Sequence, residues 1–197
     1  MSKRRDFAEP LDVQLRPIGV MRSPLVVHHE APRQPRVEPA ELAAQVRGEI
    51  HIAEGLQNAL HDLDGFSHVW VVFLCHHTRG WNSKVKPPRD DTKRGVFATR
   101  APARPNPIGL SCVRLVRVEK RVLHVGDHDI LDGTPILDVK PYLPYCDSVP
   151  DARIGWVADV AVDAKDHRAW WDEKDAKMPL VYEKRRREQK PDGGDKG

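Results

Sequence analysis

The sequence has little of what defines several common protein classes. Its three cysteines, Cys75, Cys112 and Cys146, are odd in number, widely spaced and never in a CxxC pair. This excludes a disulfide-stapled scaffold and predicts reduced thiols in a cytoplasmic protein. The longest apolar run, from Val69 to Cys75, is far too short to span a bilayer. The charged residues after Met1 are not followed by an apolar segment, so we expect no secretory signal.

A nucleotide-binding fingerprint is also missing. No G-x-G-x-x-G follows a predicted strand, which argues against the usual dinucleotide-binding βαβ unit. The net charge of +3 is too small to indicate a nucleic-acid partner without its distribution. With 197 residues, of which 40% are hydrophobic and 31% charged, the chain is predicted to form one globular domain with tails.

Turn-forming residues are abundant and favour β structure. Seventeen prolines and thirteen glycines interrupt short runs of β-branched and apolar residues. Strands are predicted at 13–21, 48–52, 69–75, 95–99, 110–118, 122–125, 134–140 and 155–162. The run 69–75 has no polar face, so we expect it to be buried on both sides. The pattern predicts a mainly β fold, a small antiparallel β-barrel with a few short helices.

Helices and chain ends are assigned from the same patterns. Apolar residues at 56, 59, 60 and 63 predict a short amphipathic helix that Gly65 ends, and 165–177 predicts a surface helix. A turn or two of helix is also expected at 41–46. We expect residues 1–10 to be a disordered arm, 11–183 to be the folded domain and 184–197 to be a basic, disordered tail.

The most informative stretch runs from 94 to 110. Pro102, Pro105 and Pro107 fix the backbone and remove donors, so neither a helix nor a ladder continues through them. The resulting stiff loop carries Arg100, Arg104 and Asn106. Arginines held on a rigid loop suit a carboxylate, a phosphate or a stacked base. The alternative interpretation is a proline-rich crossover with solvated arginines.

Two motifs in the chain carry a family resemblance. GVFATRAPARPNPIGLS at 95–111 and DGTPILDVKPY at 132–142 closely resemble the signature of the TsaA-like family, and the resemblance extends over about 16–149. Its characterised bacterial members, the TrmO methyltransferases, use S-adenosylmethionine to methylate N6 of threonylcarbamoyladenosine in tRNA, next to the anticodon. The resemblance implies a β-barrel core unlike Rossmann-type methyltransferases, a tRNA partner and a homodimer. A protein that only binds the cofactor and a non-catalytic RNA-binding module are the alternatives, because longer members have an additional C-terminal domain, which we do not expect in this chain.

The resemblance also implies a cofactor site. Arg33 and Arg100 match positions that contact the ligand, where an arginine suits its carboxylate, and Asp132 suits its ammonium group. Many members have glutamine where this chain has His77. The matching positions are Arg33, Gln34, Pro35, His76, His77, Arg100, Leu110, Leu131, Asp132, Gly133 and Thr134.

Candidate catalytic residues lie on the strand predicted after the second motif. Alternation places Asp138 and Lys140 on the same face as Thr134, so we expect them to orient substrate, with Asp138 as general base. An exposed ion pair is the alternative interpretation. Arg104, Asn106, Tyr142 and Tyr145 are expected to bind the RNA substrate, the tyrosines by stacking on an unpaired base.

A zinc site is the competing interpretation of Cys75-His76-His77. Neighbours along a strand point to opposite faces, so three consecutive side chains do not readily converge on one ion. Methyl transfer from a sulfonium needs no metal, because the leaving group departs neutral. We therefore expect no metal cofactor.

Overall fold

The computed structural model describes residues 13–27, 31, 46–88 and 90–160. Its strands are β1 (Gly19–Arg22), β2 (Arg47–Ile52), β3 (His68–Leu74), β4 (Lys84–Val85), β5 (Arg94–Gly95), β6 (Ile108–Glu119), β7 (Val122–Gly126) and β8 (Pro135–Pro141). Six strands close into an antiparallel barrel in the order β1-β2-β7-β6-β3-β8, and β4 pairs with β5 in a separate sheet. The prediction of a mainly β, antiparallel barrel is confirmed.

Apolar side chains at alternate strand positions fill the barrel. Ile50, Val69, Val71, Leu123 and Ile136 are fully buried, and they belong to four different strands. A barrel of this size is filled by side chains rather than hollow. A ligand therefore has to bind at an end or on the outside.

The expectation that 69–75 is buried on both faces is wrong. Along β3, Val69 and Val71 are fully buried, whereas Trp70 and Val72 are only partly so. The side chains of a strand alternate between two faces, and only one face of β3 looks into the barrel. The outer face is apolar and partly accessible.

The amphipathic helix predicted from Leu56 onward is replaced by two 3₁₀ turns, Gln57–Leu60 and Leu63–Gly65. Asp62 lies between them with φ = 64°, a left-handed conformation that an α-helix does not tolerate. Leu63 is nonetheless buried against the core, so the apolar pattern did mark the contact. The error lies in the helix type, because a segment this short nucleates an α-helix poorly.

Two further strand predictions are wrong and one is too long. The segment predicted at 95–99 is a strand only at Arg94–Gly95 and continues as a 3₁₀ turn, Val96–Ala98. Thr99 Oγ1 donates to the Val96 carbonyl at 2.9 Å, a local bond that competes with a ladder. The described part of 155–162 is a 3₁₀ turn, Gly155–Asp159, and β1 begins only at Gly19. The remaining strands agree with the prediction to within two residues.

Several predicted features lie outside the described residues. These are the arm at 1–10, the helix at 165–177, the tail at 184–197 and, except for Val46, the helical turn at 41–46. The short α-helix α1 (Pro144–Asp147) follows β8. In the described part of the chain, no helix combines the length and apolar character needed to cross a membrane.

Candidate functional site

The barrel topology brings the two sequence motifs to one end. The pairings place the end of β1, the end of β3, the start of β6 and the start of β8 at the same edge of the sheet. We call this end the motif rim; it consists of residues 23–27, 75–88, 90–107 and 127–134. Backbone bonds connect its parts, from Cys75 N to the Pro107 carbonyl and from Asp132 N to the Leu25 carbonyl, each at 2.7 Å. Residues far apart in the sequence thus form one surface.

The proline-rich loop is braced by one of its own arginines. Arg104 Nη1 donates to the carbonyls of Thr99 at 3.2 Å and Ala101 at 3.4 Å. Arg100 is exposed at the rim, and its positive charge acts on the carboxyl group of Asp129. Arg100 is therefore placed to meet an anionic ligand group, whereas Arg104 stabilises the loop that presents it. Asn106 is exposed, and its carbonyl accepts a bond from Ile108 N at 2.7 Å.

His76 and His77 follow β3 directly and lie against each other. Their ring centroids are 3.7 Å apart at an interplanar angle of 42°. Burial raises the pKa of the neighbouring Cys75 thiol to about 11, with a further contribution from the charge of Asp129. A thiol with this pKa is neutral at physiological pH and is a poor metal ligand or nucleophile. No group of three or more His, Cys, Asp or Glu side chains that could hold a metal is present in the described part of the chain.

The Leu131–Thr134 turn is anchored to the end of β1. Asp132 Oδ1 accepts a bond from Ser23 N at 3.0 Å, and Asp132 Oδ2 lies 3.9 Å from Arg22 Nη1. Gly133 has φ = 71°, the left-handed conformation that a glycine adopts without strain. Leu131 and Thr134 are buried beneath the turn, so Asp132 and Gly133 are the parts of it that remain partly accessible.

Gly109 is required by a close approach rather than by a special backbone angle. A Cβ at this position would lie 2.3 Å from the Phe73 ring. Phe73 pairs with Gly109 across β3 and β6 and packs against the core. On the outer face of β6, the next residue, Leu110, is 54% exposed at the motif rim.

The prediction that Asp138 and Lys140 share a face with Thr134 is wrong. The β3–β8 register shifts between Val72 and Phe73, which pair with Asp138 and Ile136, so Leu137 is an extra residue in a β-bulge. A bulge reverses the alternation beyond it. Thr134 and Ile136 are buried, whereas Asp138 and Lys140 lie on the outside of the barrel.

The bulge places Asp138 in line with Leu110. Val72 pairs with Asp138 on one side and with Leu110 on the other, so the three form a row across the outer face of β8, β3 and β6. Two strand spacings separate Asp138 from Leu110, a distance of about 10 Å. Asp138 Oδ2 lies 2.6 Å from Lys140 Nζ, and Oδ1 accepts a bond from Val139 N at 2.9 Å.

The two candidate tyrosines lie beyond the far end of β8. Tyr142 packs edge-on against Trp70, with ring centroids 5.7 Å apart, and its backbone N donates to His68. Tyr145, in α1, is 85% exposed. Both are away from the motif rim, because β8 starts at the rim and runs away from it.

The sequence interpretation missed a polar pair under the rim, in which Ser111 is buried and Asp129 is partly buried. Ser111 is 2% exposed and its Oγ donates to Asp129 Oδ1 at 2.6 Å. Burial raises the pKa of Asp129 to about 6, opposed by the Ser111 hydrogen bond and the charge of Arg100. The sequence did contain a sign of this pair, because alternation along β6 puts Ser111 on the same inward face as Val113. A serine at a core position needs a hydrogen-bond partner.

A third group of the predicted cofactor site, Arg33, Gln34 and Pro35, lies outside the described residues. The segment that contains them joins β1 to β2. β1 ends and β2 begins at the barrel end that carries the motif rim, because Arg22 at the end of β1 pairs with Glu49 near the start of β2.

Comparison with known proteins places the chain in a family. A sequence model described as the tRNA-methyltransferase O N-terminal domain matches residues 20–148. A probable S-adenosyl-L-methionine-binding protein of Pyrococcus abyssi is 42% identical over 148 residues, which cover 75% of this chain and 78% of that protein. A tRNA (adenine(37)-N6)-methyltransferase of Escherichia coli is 41% identical over 153 residues, covering 73% of this chain and 63% of the enzyme.

Solved structures agree with these sequence matches. A crystal structure of TrmO from Pseudomonas aeruginosa superposes with a TM-score of 0.62 at 40% identity, covering 74% of this chain and 63% of that one. The region matched by the sequence model, residues 20–148, contains β2 to β8, all of β1 except its first residue, and both sequence motifs. The chain therefore belongs to the family defined by the tRNA-methyltransferase O N-terminal domain.

Proposed function

We propose that this protein is an S-adenosylmethionine-dependent methyltransferase that acts on N6 of an adenine in tRNA. The observation that carries the proposal is that the family motifs, distant in sequence, converge on one barrel end with Arg100 and Leu110 accessible there. The E. coli relative named for this reaction supports the choice of substrate. More narrowly, the resemblance of the motifs points to threonylcarbamoyladenosine next to the anticodon.

The accessible groups at the rim fit the chemistry of the cofactor. S-adenosylmethionine has a carboxylate, an ammonium group, a sulfonium centre and an adenine ring. Arg100 suits the carboxylate, Asp132 suits the ammonium group, and the exposed side chain of Leu110 offers apolar contact. The adjacent, mutually tilted rings of His76 and His77 offer aromatic faces for contact with the adenine. When bound, the cofactor supplies an electrophilic methyl group whose sulfur leaves uncharged.

The protein has to position the exocyclic nitrogen and accept its proton. Alignment of two reactants is a large share of such catalysis. A carbamoylated N6 is a weak nucleophile, so a nearby proton acceptor contributes further. We assign the acceptor role to Asp138, because it lies on the same outer face as Leu110 and is solvent-accessible. Lys140 Nζ, 2.6 Å from Asp138 Oδ2, helps to hold this carboxylate in place.

A non-catalytic cofactor-binding protein is the second candidate function. The P. abyssi relative and one from Archaeoglobus fulgidus, 40% identical, are both named as probable S-adenosyl-L-methionine-binding proteins. The two functions need the same cofactor site and differ only in whether a substrate base reaches it.

Incubation of the protein with isotopically labelled S-adenosylmethionine and tRNA separates these functions. The tRNA is prepared in two forms, with and without the threonylcarbamoyl group, and its nucleosides are analysed by mass spectrometry. We expect label on N6 in the threonylcarbamoylated form. Label only in the other form would overturn the narrower substrate assignment. Cofactor binding without label in either RNA would support the binding-protein function.

A further inference from the structure

The two-stranded sheet outside the barrel is a hairpin at the motif rim. It lies between His77 and the proline-rich loop, with Lys84 paired to Gly95 and Val85 to Arg94. Val96 N donates to the Ser83 carbonyl at 3.0 Å, so the pairing continues toward the loop. We call residues 81–88 and 90–97 the rim hairpin. The rim hairpin is not part of the closed barrel, so closing the barrel does not explain why the hairpin is present.

The rim hairpin has a basic depression on its surface. The depression measures ≈ 580 Å³ and is lined by Asn82, Ser83, Lys84, Val85, Lys86 and Lys93. Lys86 Nζ is 2.9 Å from Asp91 Oδ1, so the charge of this lysine is offset by an acidic partner. Lys84 and Lys93 form no ion pair with any residue in the described part of the chain. Two uncompensated cations beside asparagine and serine donors suit the oxygens of a phosphodiester chain.

Two exposed aromatic residues are close in sequence to the paired residues of the rim hairpin. Phe97 is 78% exposed and Trp81 is 51% exposed. Trp81 precedes Asn82, which lines the depression, and Phe97 follows Val96, whose backbone N is bonded to Ser83, so both aromatic residues lie at the same end of the rim hairpin. Large aromatic side chains exposed to this degree mark interaction surfaces. Aromatic faces beside lysines are the combination that binds unpaired nucleotides.

We propose that the rim hairpin binds a single-stranded segment of RNA, with phosphates on Lys84 and Lys93 and bases stacked on Phe97 and Trp81. This inference rests on the proposed function, because it supplies the docking surface for the RNA that the rim would methylate. The hairpin leads directly into the loop that presents Arg100, three residues after Phe97. An unpaired loop bound there therefore has its next bases at the cofactor site. Lysines are depleted in protein–protein interfaces, so the unpaired lysines favour RNA over a protein partner.

The electrostatic half is tested with the double variant Lys84→Glu/Lys93→Glu. Binding of a fluorescent anticodon stem–loop RNA is measured by anisotropy over a series of KCl concentrations. We expect the affinity to fall about tenfold or more, and the salt slope of log K to fall by about 1 for each lost phosphate contact. Lys120→Glu, in the β6–β7 turn away from the rim, is a remote charge-reversal control with half the net charge change of the double variant, and it should change neither quantity. Cofactor affinity should be unchanged in all three proteins.

The stacking half is tested with Phe97→Ala and Trp81→Ala. Loss of one stacked base should weaken RNA binding roughly 5- to 100-fold while leaving the salt slope unchanged. A fully paired duplex of the same length should bind less tightly than the stem–loop, and these variants should not affect it.

The outcomes distinguish this inference from the proposed function. If the wild type methylates and binds tRNA but the lysine and aromatic variants behave like it, the rim hairpin is not the RNA surface and the proposed function stands. If the wild type binds the cofactor but no RNA at any salt concentration, both proposals fail. Equal weakening of duplex and stem–loop by Phe97→Ala would overturn the stacking assignment.

Discussion

At the scale of single residues, the hydrogen-bonded pair Ser111–Asp129 makes the stability of the fold depend on pH. The pKa of Asp129 is raised to about 6 by burial, so the folded protein holds a proton there that the unfolded chain releases near its ordinary pKa. Between these two values the folded state binds more protons, and stability falls as pH rises. The loss is complete above about pH 6.

We therefore predict that Asp129→Asn stabilises the protein at neutral pH. The amide keeps an acceptor for Ser111 and removes the buried charge. The gain should be on the order of 2 kcal/mol at pH 7.5 and should vanish as the pH approaches 4. Urea unfolding at a series of pH values measures it. A gain of equal size at every pH would mean that repacking, not titration, is responsible.

His128, next to it in the chain, acts in the opposite direction. It is fully buried, and burial lowers its pKa to about 4. The unfolded chain protonates this histidine below about pH 6.5, so its contribution is lost as pH falls from there toward 4. The two groups oppose each other over this range in the wild type. The Asp129→Asn variant should therefore show a steeper loss of stability in acid.

Asp138 tests the catalytic assignment at a single position. Asp138→Asn keeps the shape of the side chain and removes its charge, so cofactor affinity should be unchanged. Methyl transfer should slow about a hundredfold if the carboxylate accepts the proton. Single-turnover rates and calorimetry on the same preparation measure the two quantities. Equal loss of binding and rate would instead make Asp138 a cofactor or structural residue.

At the scale of elements, the contact between β3 and β6 explains a glycine of the family motif. We predict that Gly109→Ala destabilises the fold by about 1–3 kcal/mol, because its Cβ would collide with the Phe73 ring. Gly65→Ala, where a Cβ meets open space, is the matched control and should cost little. Chemical unfolding provides the comparison. When Phe73→Leu is also present, the cost of the Gly109→Ala substitution should shrink, and strictly additive effects would contradict the contact.

Elements were predictable from the sequence where period and burial agree. β2, β6 and β7 follow from alternation and from turns at Gly126 and Lys120, the latter with φ = 54°. β8 was found as a strand, but the bulge at Leu137 was not, and it reversed the faces of Asp138 and Lys140. A bulge depends on pairing with a partner strand and leaves no mark on the alternation of one segment. The Val96–Ala98 turn was not predicted either, because the local hydrogen bond of Thr99 outweighed the β propensity of these residues.

At the scale of the whole molecule, the barrel explains how distant motifs form one site. The resemblance supplied most of the candidate residues, and the topology supplied their common location. What the sequence alone could not show is that Arg104 braces its own loop while Arg100 is exposed. These different roles of the two arginines depend on the folded conformation of the proline-rich loop.

The oligomeric state remains a prediction at this scale. The family resemblance points to a homodimer with the cofactor near the subunit interface. Ile108 and Leu110, 40% and 54% exposed on the outer face of β6, are consistent with a surface that a second copy covers. Light scattering at micromolar concentration with the cofactor present should give the mass of two chains. A monomer under these conditions would contradict the prediction.

The central claim, that the motif rim holds S-adenosylmethionine through Arg100, is tested most directly by calorimetric titration of the cofactor in the presence of a chelator. The wild type should bind it, and Arg100→Ala should lose about 1.5–3 kcal/mol of binding free energy, the cost of a charged hydrogen bond. Arg121→Ala, which removes an exposed arginine in the β6–β7 turn at the opposite end of the barrel, should bind like the wild type. Wild-type protein that does not bind, or an Arg100→Ala variant that binds equally well, would contradict the account.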